Sequence, residues 1–292
     1  MARIIYASKQ AHSIDKAQVS DSKNQFLFFV SICEYENMII SFYTSKGGAS
    51  KTSSALALLS AIAEHNARSS KHKLRTLALD LDSAQGSLTK FAESRLHKSK
   101  PSYDIEFHTI NSSIFTSTIL TKRAANYDLT IVDAPGYHDD QILKAVSISD
   151  AVVVPCNLSV IEYVEANDSL NRIYQIRHDV GIEGHLGILL TRTEQIPNMT
   201  TKFSRALFKQ ILGSGHAFYD AKLSTLNAYQ MQMDHGSYLF EFMEDAGKGV
   251  QRALLESRTA LRSISEGKFI EDNDMLTAPQ ILARMGSVAE GN

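Results

Sequence analysis

The chain has 292 residues, a formal net charge of −2, a hydrophobic fraction of 43% and two cysteines. This length can bury a substantial core in one large domain, and the balanced charge excludes a polycation that binds nucleic acid with its whole surface. Cys33 and Cys156 do not suggest a disulfide framework and indicate a reducing cytoplasm. The apolar runs fall far short of the ~20 residues of a membrane span, and no secretory signal is expected.

The alternation of strand-like and helix-like stretches predicts the fold. Residues 1–24 are polar and show no usable pattern, and Phe26–Cys33 and Met38–Tyr43 are two strand-like runs that suggest a hairpin. From Met38 onward the alternation is typical of βαβ crossovers, so we predict an α/β fold with a mostly parallel twisted sheet and helices on both faces. The predicted strands of this sheet are Met38–Tyr43, Leu74–Asp80, Tyr103–Ile110, Leu129–Asp133, Ala151–Pro155 and Gly187–Thr191.

A glycine turn links the Met38–Tyr43 strand to a helix-prone run. The turn reads Ser45-Lys46-Gly47-Gly48-Ala49-Ser50-Lys51-Thr52. The backbone N–H groups of such a turn and of the following helix N-terminus bind phosphate. Lys51 is placed to reach the outer phosphates, and the Thr52 hydroxyl to ligate Mg²⁺. Ser45 and Ser50 occupy the two glycine positions of the general G-x-x-x-x-G-K-[ST] pattern.

Carboxylates end two of the later predicted strands. Asp80 and Asp82 lie two residues apart and share one face of a strand end, although Asp82 could instead cap the next helix. Asp133 ends another apolar strand, and Pro135-Gly136 enforces a turn after it. A carboxylate at that position can hold the water shell of a phosphate-bound Mg²⁺. Open α/β sheets bind ligands at such strand ends.

The order of these motifs resembles the ParA/MinD family of deviant Walker P-loop ATPases, and the similarity covers roughly residues 38–265. The motifs are Lys46-Gly47-Gly48, Lys51-Thr52, Asp80-x-Asp82, Asp133-x-Pro135-Gly136, Asp150–Pro155 and Leu186–Thr193. The resemblance implies a P-loop ATPase domain at residues 38–270, preceded by an N-terminal extension at 1–37 and followed by a C-terminal tail at 271–292.

The resemblance also implies ATP and Mg²⁺ as cofactors, slow hydrolysis that a partner stimulates, and an ATP-dependent homodimer. Lys46 would cross the dimer interface to the other subunit's nucleotide, and Asp82 would orient the attacking water, so that Lys46, Lys51 and Asp82 act in catalysis. The implied nucleotide contacts are Lys46, Gly47, Gly48, Ala49, Ser50, Lys51, Thr52, Ser53, Thr191 and Arg192. The implied Mg²⁺ contacts are Thr52, Asp80 and Asp133. Ser50 departs from the family's glycine, which puts nucleotide affinity and turnover in question.

A basic stripe is predicted near the C-terminus. Four cations share one face when residues 248–264 are wound as a helix, with apolar residues on the opposite face. They are Lys248, Arg252, Arg258 and Arg262. Such a stripe suits contact with a phosphate backbone, but it equally suits a solvated face whose arginines pair with acidic neighbours. The resemblance favours nonspecific double-stranded DNA. A second basic set consists of Lys202, Arg205 and Lys209.

We therefore expect a cytoplasmic, nucleoid-associated ParA-like ATPase that segregates a plasmid or chromosome locus or positions another cargo. Its stimulator would be a ParB-like centromere-binding protein or a cargo adaptor. Three alternatives stay open: a MinD-like membrane regulator, an accessory ATPase of conjugative transfer, and a nucleotide-binding adaptor with a degenerate loop. The 271–292 tail has little basic or apolar character, which disfavours membrane anchoring.

Overall fold

The structure is a computed structural model that describes residues 36–82, 84–193, 217–242 and 247–270. Several predictions lie outside these residues. They are the polar segment 1–24, the strand Phe26–Cys33 with its hairpin, the basic set Lys202, Arg205 and Lys209, and the tail 271–292.

Within the described residues, seven strands form one sheet, and every pairing between them is parallel. The strands are β1 Met38–Phe42, β2 Thr76–Asp80, β3 Ile105–Thr109, β4 Leu129–Asp133, β5 Ala151–Cys156, β6 His185–Thr193 and β7 Phe218–Ser224. Their order across the sheet is β3-β2-β4-β1-β5-β6-β7, which places β1 at the centre. The predicted parallel α/β sheet is confirmed.

The sheet contains one strand that was not predicted, and several strand ends differ from the prediction. For example, β2 begins at Thr76 instead of Leu74, and β6 extends over His185–Thr193. Strand β7 was not predicted, because Asp220 and Lys222 interrupt its apolar pattern. Strand β3 begins later than predicted, because Tyr103 and Asp104 have left-handed backbone angles, with φ of 53° and 57°, which an extended strand does not accommodate.

Seven helices and two short 3₁₀ turns, Ser112–Ile114 and Leu239–Phe242, accompany the described strands. The helices are α1 Lys51–Arg68, α2 Ser87–His97, α3 Ser117–Ala124, α4 Asp140–Val146, α5 Val160–Val180, α6 Asn227–His235 and α7 Lys248–Ser265. Local sequence determines their ends. At the start of α5, the Glu162 N–H donates to Ser159 Oγ (3.2 Å), and Gly181 ends the helix with a φ of 67°.

Apolar side chains cover both faces of the sheet, as predicted. Ile131 and Val132 are consecutive residues of β4 and point to opposite faces. Val132 lies in a buried cluster with residues of α3, α4 and α5, whereas Ile131 lies in a cluster with residues of α1, α2 and α7. Strands buried on both faces read as continuous apolar runs, which is why β4 and β5 were evident in the sequence. None of the described helices has both the length and the apolar character needed to cross a membrane.

The protein should lose stability in mild acid through His185. This residue opens β6 beside Gly267, and burial lowers the pKa of its ring below the usual 6.5. The nearby Arg177 lowers this pKa further, against the opposing charge of Asp150. Because the fold favours the neutral ring, this stabilisation is complete above about pH 6.5 and is lost as the pH falls.

Urea unfolding at a series of pH values measures this effect. Between about pH 7 and pH 5, the free energy of unfolding should fall more steeply in the parent protein than in His185→Gln. Equal slopes in the two proteins would contradict the role assigned to His185.

Candidate functional site

The residues selected from the sequence meet where the carboxyl ends of β2, β4 and β1 lie side by side. Strand β1 ends at Phe42, residues 43–50 form a turn that we call the glycine loop, and α1 begins at Lys51. The first turn of α1 contains no acidic residue, so its N–H groups and its dipole are available to an anion. The predicted strand–turn–helix arrangement is confirmed.

The ammonium group of Lys51 is a buried cation that contacts the backbone of the glycine loop. The residue is 7% exposed, and its Nζ donates to the carbonyl oxygens of Thr44 (3.3 Å) and Lys46 (3.0 Å). Burial lowers the pKa of Lys51, while the carboxylates of Asp133 and Asp82 act in the opposite direction. Among the described residues, its hydrogen-bond partners are these two carbonyl oxygens, so the ammonium group can add an anionic ligand.

Thr52 and Asp133 form the second part of the site. Thr52 Oγ1 donates to Asp133 Oδ2 over 2.6 Å. Asp133 is 2% exposed, and its Oδ1 has no hydrogen-bond partner among the described residues. Burial raises the pKa of Asp133 to about 7, against the effect of the Thr52 hydrogen bond. A buried carboxylate oxygen without a partner is costly unless a ligand completes its contacts.

This oxygen donor pair fits Mg²⁺ that arrives with a nucleotide. No group of three or more His, Cys, Asp or Glu side chains in the described part of the chain could hold a metal ion by itself. Mg²⁺ bound to phosphates normally takes only one or two protein ligands, and water and phosphate oxygens supply the others. Thr52 and Asp133 would be its protein ligands here, and that assignment remains a prediction.

The two carboxylates after β2 have different surroundings. Both oxygens of Asp80 are occupied, since Oδ1 accepts from the Asp82 N–H (3.0 Å) and Oδ2 accepts from the N–H (3.0 Å) and Oγ1 (2.9 Å) of Thr89. Asp82 is only partly buried, and its Oδ1 accepts from the Gln85 N–H (3.0 Å) in the turn before α2. Asp80 thus supports the Asp82 turn, and its contribution to the Mg²⁺ shell remains a prediction.

Ser45, at the first glycine position, joins the glycine loop to α5. Its Oγ donates to Glu165 Oε2 (3.2 Å), and its N–H donates to Ser169 Oγ (3.4 Å). Sequence reasoning missed both partners, because Glu165 and Ser169 lie on a helix far along the chain with no local pattern to mark them.

Ser50, at the second glycine position, has a left-handed backbone with a φ of 64°. This conformation costs an L-residue about 1–2 kcal/mol, which explains why the general pattern has glycine there. The Ser50 hydroxyl accepts from Nε of Arg192 over 2.6 Å. Arg192 follows Thr191 near the end of β6, and its second guanidinium nitrogen donates to the carbonyl oxygen of Gly48.

Gly136 lies directly against the glycine loop. A Cβ added at Gly136 would lie 2.7 Å from the Cα and 2.9 Å from the N of Gly47, and 3.1 Å from the Lys46 carbonyl oxygen. These neighbours are backbone atoms, so they cannot move aside without moving the loop. In the sequence, Gly136 was identified only as part of a turn, and its packing role was missed.

Substituting Gly136 by alanine should therefore disturb the site more than the fold. The added methyl group displaces the glycine loop, and we expect ADP affinity to fall by about tenfold or more, as for other overpacked sites. Isothermal titration measures the affinity. The control is Gly247→Ala, because a Cβ there meets no atom within 4 Å. Unchanged ADP affinity in Gly136→Ala would show that the loop adapts to the methyl group.

The other predicted nucleotide contacts surround the same loop. Gly47 and Gly48 are exposed, Ala49 is buried, and Lys46 and Ser53 are partly exposed. Thr191 is 1% exposed, and its Oγ1 has no partner within the described ranges. The structure brings all of these residues to the same end of the sheet, and their contacts with nucleotide remain predictions.

The predicted basic residues lie on α7, and within the described ranges three of the four have carboxylate partners. Arg258 donates to Glu64 of α1 through Nε (2.7 Å), and its side chain is only 19% exposed. Arg252 pairs with Glu256 at 3.0 Å and Arg262 with Glu266 at 3.1 Å. These pairs reduce the net positive charge of the face below what the sequence pattern implied. Lys248 is exposed at the start of the helix.

The fold and the site together define the class of this protein. A parallel sheet whose central strand leads through a lysine- and glycine-containing turn into a helix, with Thr52 beside Asp133, is a P-loop nucleotide-binding domain. A family model described as "ATPase MipZ" matches residues 38–177. This match spans just under half of the chain and, with the shared fold, supports a ParA/MinD-family P-loop ATPase.

Solved structures share the fold at low sequence identity. Apo McdA from Cyanothece is 15% identical, with 77% of this chain and 99% of that chain covered and a TM-score of 0.57. A proposed plasmid partition protein from Borrelia burgdorferi B31, bound to AMPPNP, is 16% identical, with 79% and 99% covered and a TM-score of 0.55. The cell division ATPase MinD from Pyrococcus furiosus is 12% identical, with 79% and 99% covered and a TM-score of 0.54. No curated protein matches the sequence.

Proposed function

We propose that this protein is a ParA-like ATPase whose ATP-bound homodimer binds DNA without sequence preference and so segregates a plasmid or chromosome locus or positions another cargo. One observation carries the proposal. Lys46 and Lys51 flank the Gly47-Gly48 pair, and Lys51 and Thr52 lie beside the buried Asp133. Such a site is suited to a Mg²⁺-bound triphosphate.

The reaction proposed for this site is phosphoryl transfer from ATP to water. Bound Mg²⁺ would neutralise charge on the transferred phosphoryl group. Among the chain's own residues, Lys51 binds the outer phosphates, and Thr52 and Asp133 hold the ion. Asp82 orients the attacking water, since it is partly exposed at the site and its turn is held by Asp80. The protein positions groups and stabilises charge, and it forms no covalent bond to the phosphoryl group.

Dimerisation is proposed through the face that carries Lys46. This side chain is partly exposed next to the exposed Gly47 and Gly48, so a second copy can approach it. Apolar side chains lie exposed on α5, the helix to which Ser45 of the glycine loop bonds. Val160, Ile161 and Val164 are 45%, 69% and 58% exposed, respectively. Burial of these residues against a second subunit would favour association.

DNA contact is proposed through the exposed part of α7. Lys248 is exposed, and the side chain of Arg262 is 49% exposed, so both can reach a phosphate backbone. Arg252 is less exposed, and Arg258 is held by the buried Glu64, which makes Arg258 the least available of the four. Contacts of this kind neutralise phosphates and are sensitive to salt.

A gel-shift assay on random-sequence duplex DNA tests the proposal. It compares ATP–Mg²⁺, ADP–Mg²⁺ and no nucleotide at one fixed salt concentration. We expect binding with ATP alone, and loss of that binding in Lys248→Glu/Arg262→Glu. The matched control is Lys73→Glu/Arg75→Glu, which makes the same charge change just before β2, outside α7. Equal DNA binding in all three nucleotide states would show that DNA binding does not depend on the nucleotide at the ATPase site. No DNA binding in any nucleotide state would contradict the proposal that DNA is a partner of this protein.

A further inference from the structure

We propose that Ser50 and Arg192 form a clamp that holds the glycine loop in its phosphate-binding conformation before nucleotide arrives, so that Arg192 is a positioning residue for nucleotide binding. The serine at a glycine position is then one half of a specific pair and not a degenerate substitution. The inference rests on the proposed function only in taking the glycine loop as the phosphate-binding element.

Strain at Ser50 is the first observation. Its φ of 64° is unfavourable for a residue with a Cβ, and its hydroxyl does not cap α1, although this residue precedes the helix. The hydroxyl is instead bonded to Arg192, which lies 142 positions further along the chain. A strained residue persists where the surrounding structure holds it in place. A glycine would remove the strain, but it would also remove the acceptor for Arg192.

The second observation is that Arg192 donates hydrogen bonds to two positions of the glycine loop. One guanidinium nitrogen donates to Ser50 Oγ and another to the carbonyl oxygen of Gly48, so a single rigid fork joins two positions of the turn. Arg192 itself has a φ of 50°, and it lies between the buried Thr191 and Thr193 at the end of β6. The guanidinium group is therefore carried by a strand residue whose two neighbours are buried in the sheet.

These two hydrogen bonds affect the orientation of a backbone N–H group in the glycine loop. In a trans peptide the C=O and the following N–H point in opposite directions. Holding the Gly48 carbonyl oxygen on the guanidinium therefore directs the N–H of Ala49 away from Arg192. Hydrogen bonding to a cation also polarises that peptide group and strengthens its N–H as a donor. Gly48, with a φ of 76°, is otherwise free to reorient this peptide.

Amide hydrogen exchange in the nucleotide-free protein tests the clamp directly. In Arg192→Gln and in Ser50→Ala, amides of residues 46–52 should exchange about tenfold faster, the factor expected for one exposed charge-assisted hydrogen bond. Amides of β4 and β5 should not change. Arg75→Gln is the matched control, because Arg75 is an exposed arginine near the opposite edge of the sheet. Unchanged exchange in the loop of both variants would overturn the proposal.

Nucleotide affinity gives a second, independent readout. Each single variant should bind ADP about tenfold more weakly, and Ser50→Ala/Arg192→Gln should bind no more weakly than either, since the two side chains act as one unit. If the losses of ADP affinity in the two single variants add in the double variant, the clamp proposal is overturned and Arg192 is a direct nucleotide ligand. Tighter binding in Arg192→Gln would also overturn it, because the contact would then block the site. If the parent binds no nucleotide, the proposed function fails, while the exchange experiment still tests the clamp.

Discussion

Replacing Lys51 by alanine is expected to abolish ATP binding while the protein stays folded. The Nζ of Lys51 is a buried cation whose hydrogen bonds go to the carbonyl oxygens of Thr44 and Lys46. Removing it would delete the proposed charge-assisted contact to the phosphates and leave the nearby Asp133 and Asp82 to repel them. We expect the Kd for ATP to rise by about a hundredfold or more.

Fluorescence titration with an ATP analogue measures this change, and circular dichroism verifies the fold. Lys122→Ala is the matched control, because Lys122 is an exposed lysine on α3 away from the glycine loop. The Lys51 variant also separates two proposals, because the Ser50–Arg192 clamp does not involve its side chain. A Lys51→Ala protein that binds ATP as tightly as the parent would exclude Lys51 from phosphate binding.

Replacing Asp82 by alanine should preserve ATP binding and reduce hydrolysis by about a hundredfold, in the range seen when a positioning or proton-accepting group is removed. The Asp82 carboxylate is partly exposed at the site and lies near enough to raise the pKa of both Lys51 and Asp133. Its loss leaves the Thr52–Asp133 pair intact. Because hydrolysis would end the ATP-bound dimer, the variant should remain dimeric for longer.

Phosphate release gives the hydrolysis rate, and size-exclusion chromatography with ATP–Mg²⁺ gives the dimer lifetime. Asp104→Ala is a matched control, since Asp104 precedes β3 and pairs with Lys73 at the amino ends of the strands, opposite the carboxyl ends where Asp82 lies. Normal hydrolysis by Asp82→Ala would falsify its assignment to water activation. Loss of ATP binding would instead make Asp82 a structural part of the pocket.

Local sequence was sufficient to predict most of the sheet and the end of the sheet where the candidate residues lie. Strands such as β4 and β5 are buried on both faces and are therefore continuous apolar runs. The Lys51-Thr52 pair, Asp82 and Asp133 each follow such a run, and in a parallel sheet the carboxyl ends of the strands lie at one edge. Strand β7 lacks this signal because it contains Asp220 and the buried Lys222.

Contacts between distant segments could not be predicted from the sequence. Arg192 and Glu165 bond to the two serines that replace glycines in the loop, and no local pattern connects them. The charge of α7 is a similar case, because its stripe was correctly placed on a helix while the pairing of Arg258 with Glu64 depends on how α7 packs against α1. A helical wheel gives the face of a residue but not its partner.

The central position of β1 has a consequence for how the protein is made. Met38 pairs with Leu129, and Ile40 pairs with Ala151, so the strand that leads into the glycine loop joins segments synthesised much later. Large loops must close before these pairs form, which makes such topologies slow to fold. A nascent chain that ends before β4 contains Lys51 and Thr52 but lacks Asp133. Ribosome-bound fragments should therefore gain nucleotide affinity only after β4 and β5 have emerged, and nucleotide binding would report that the domain is complete.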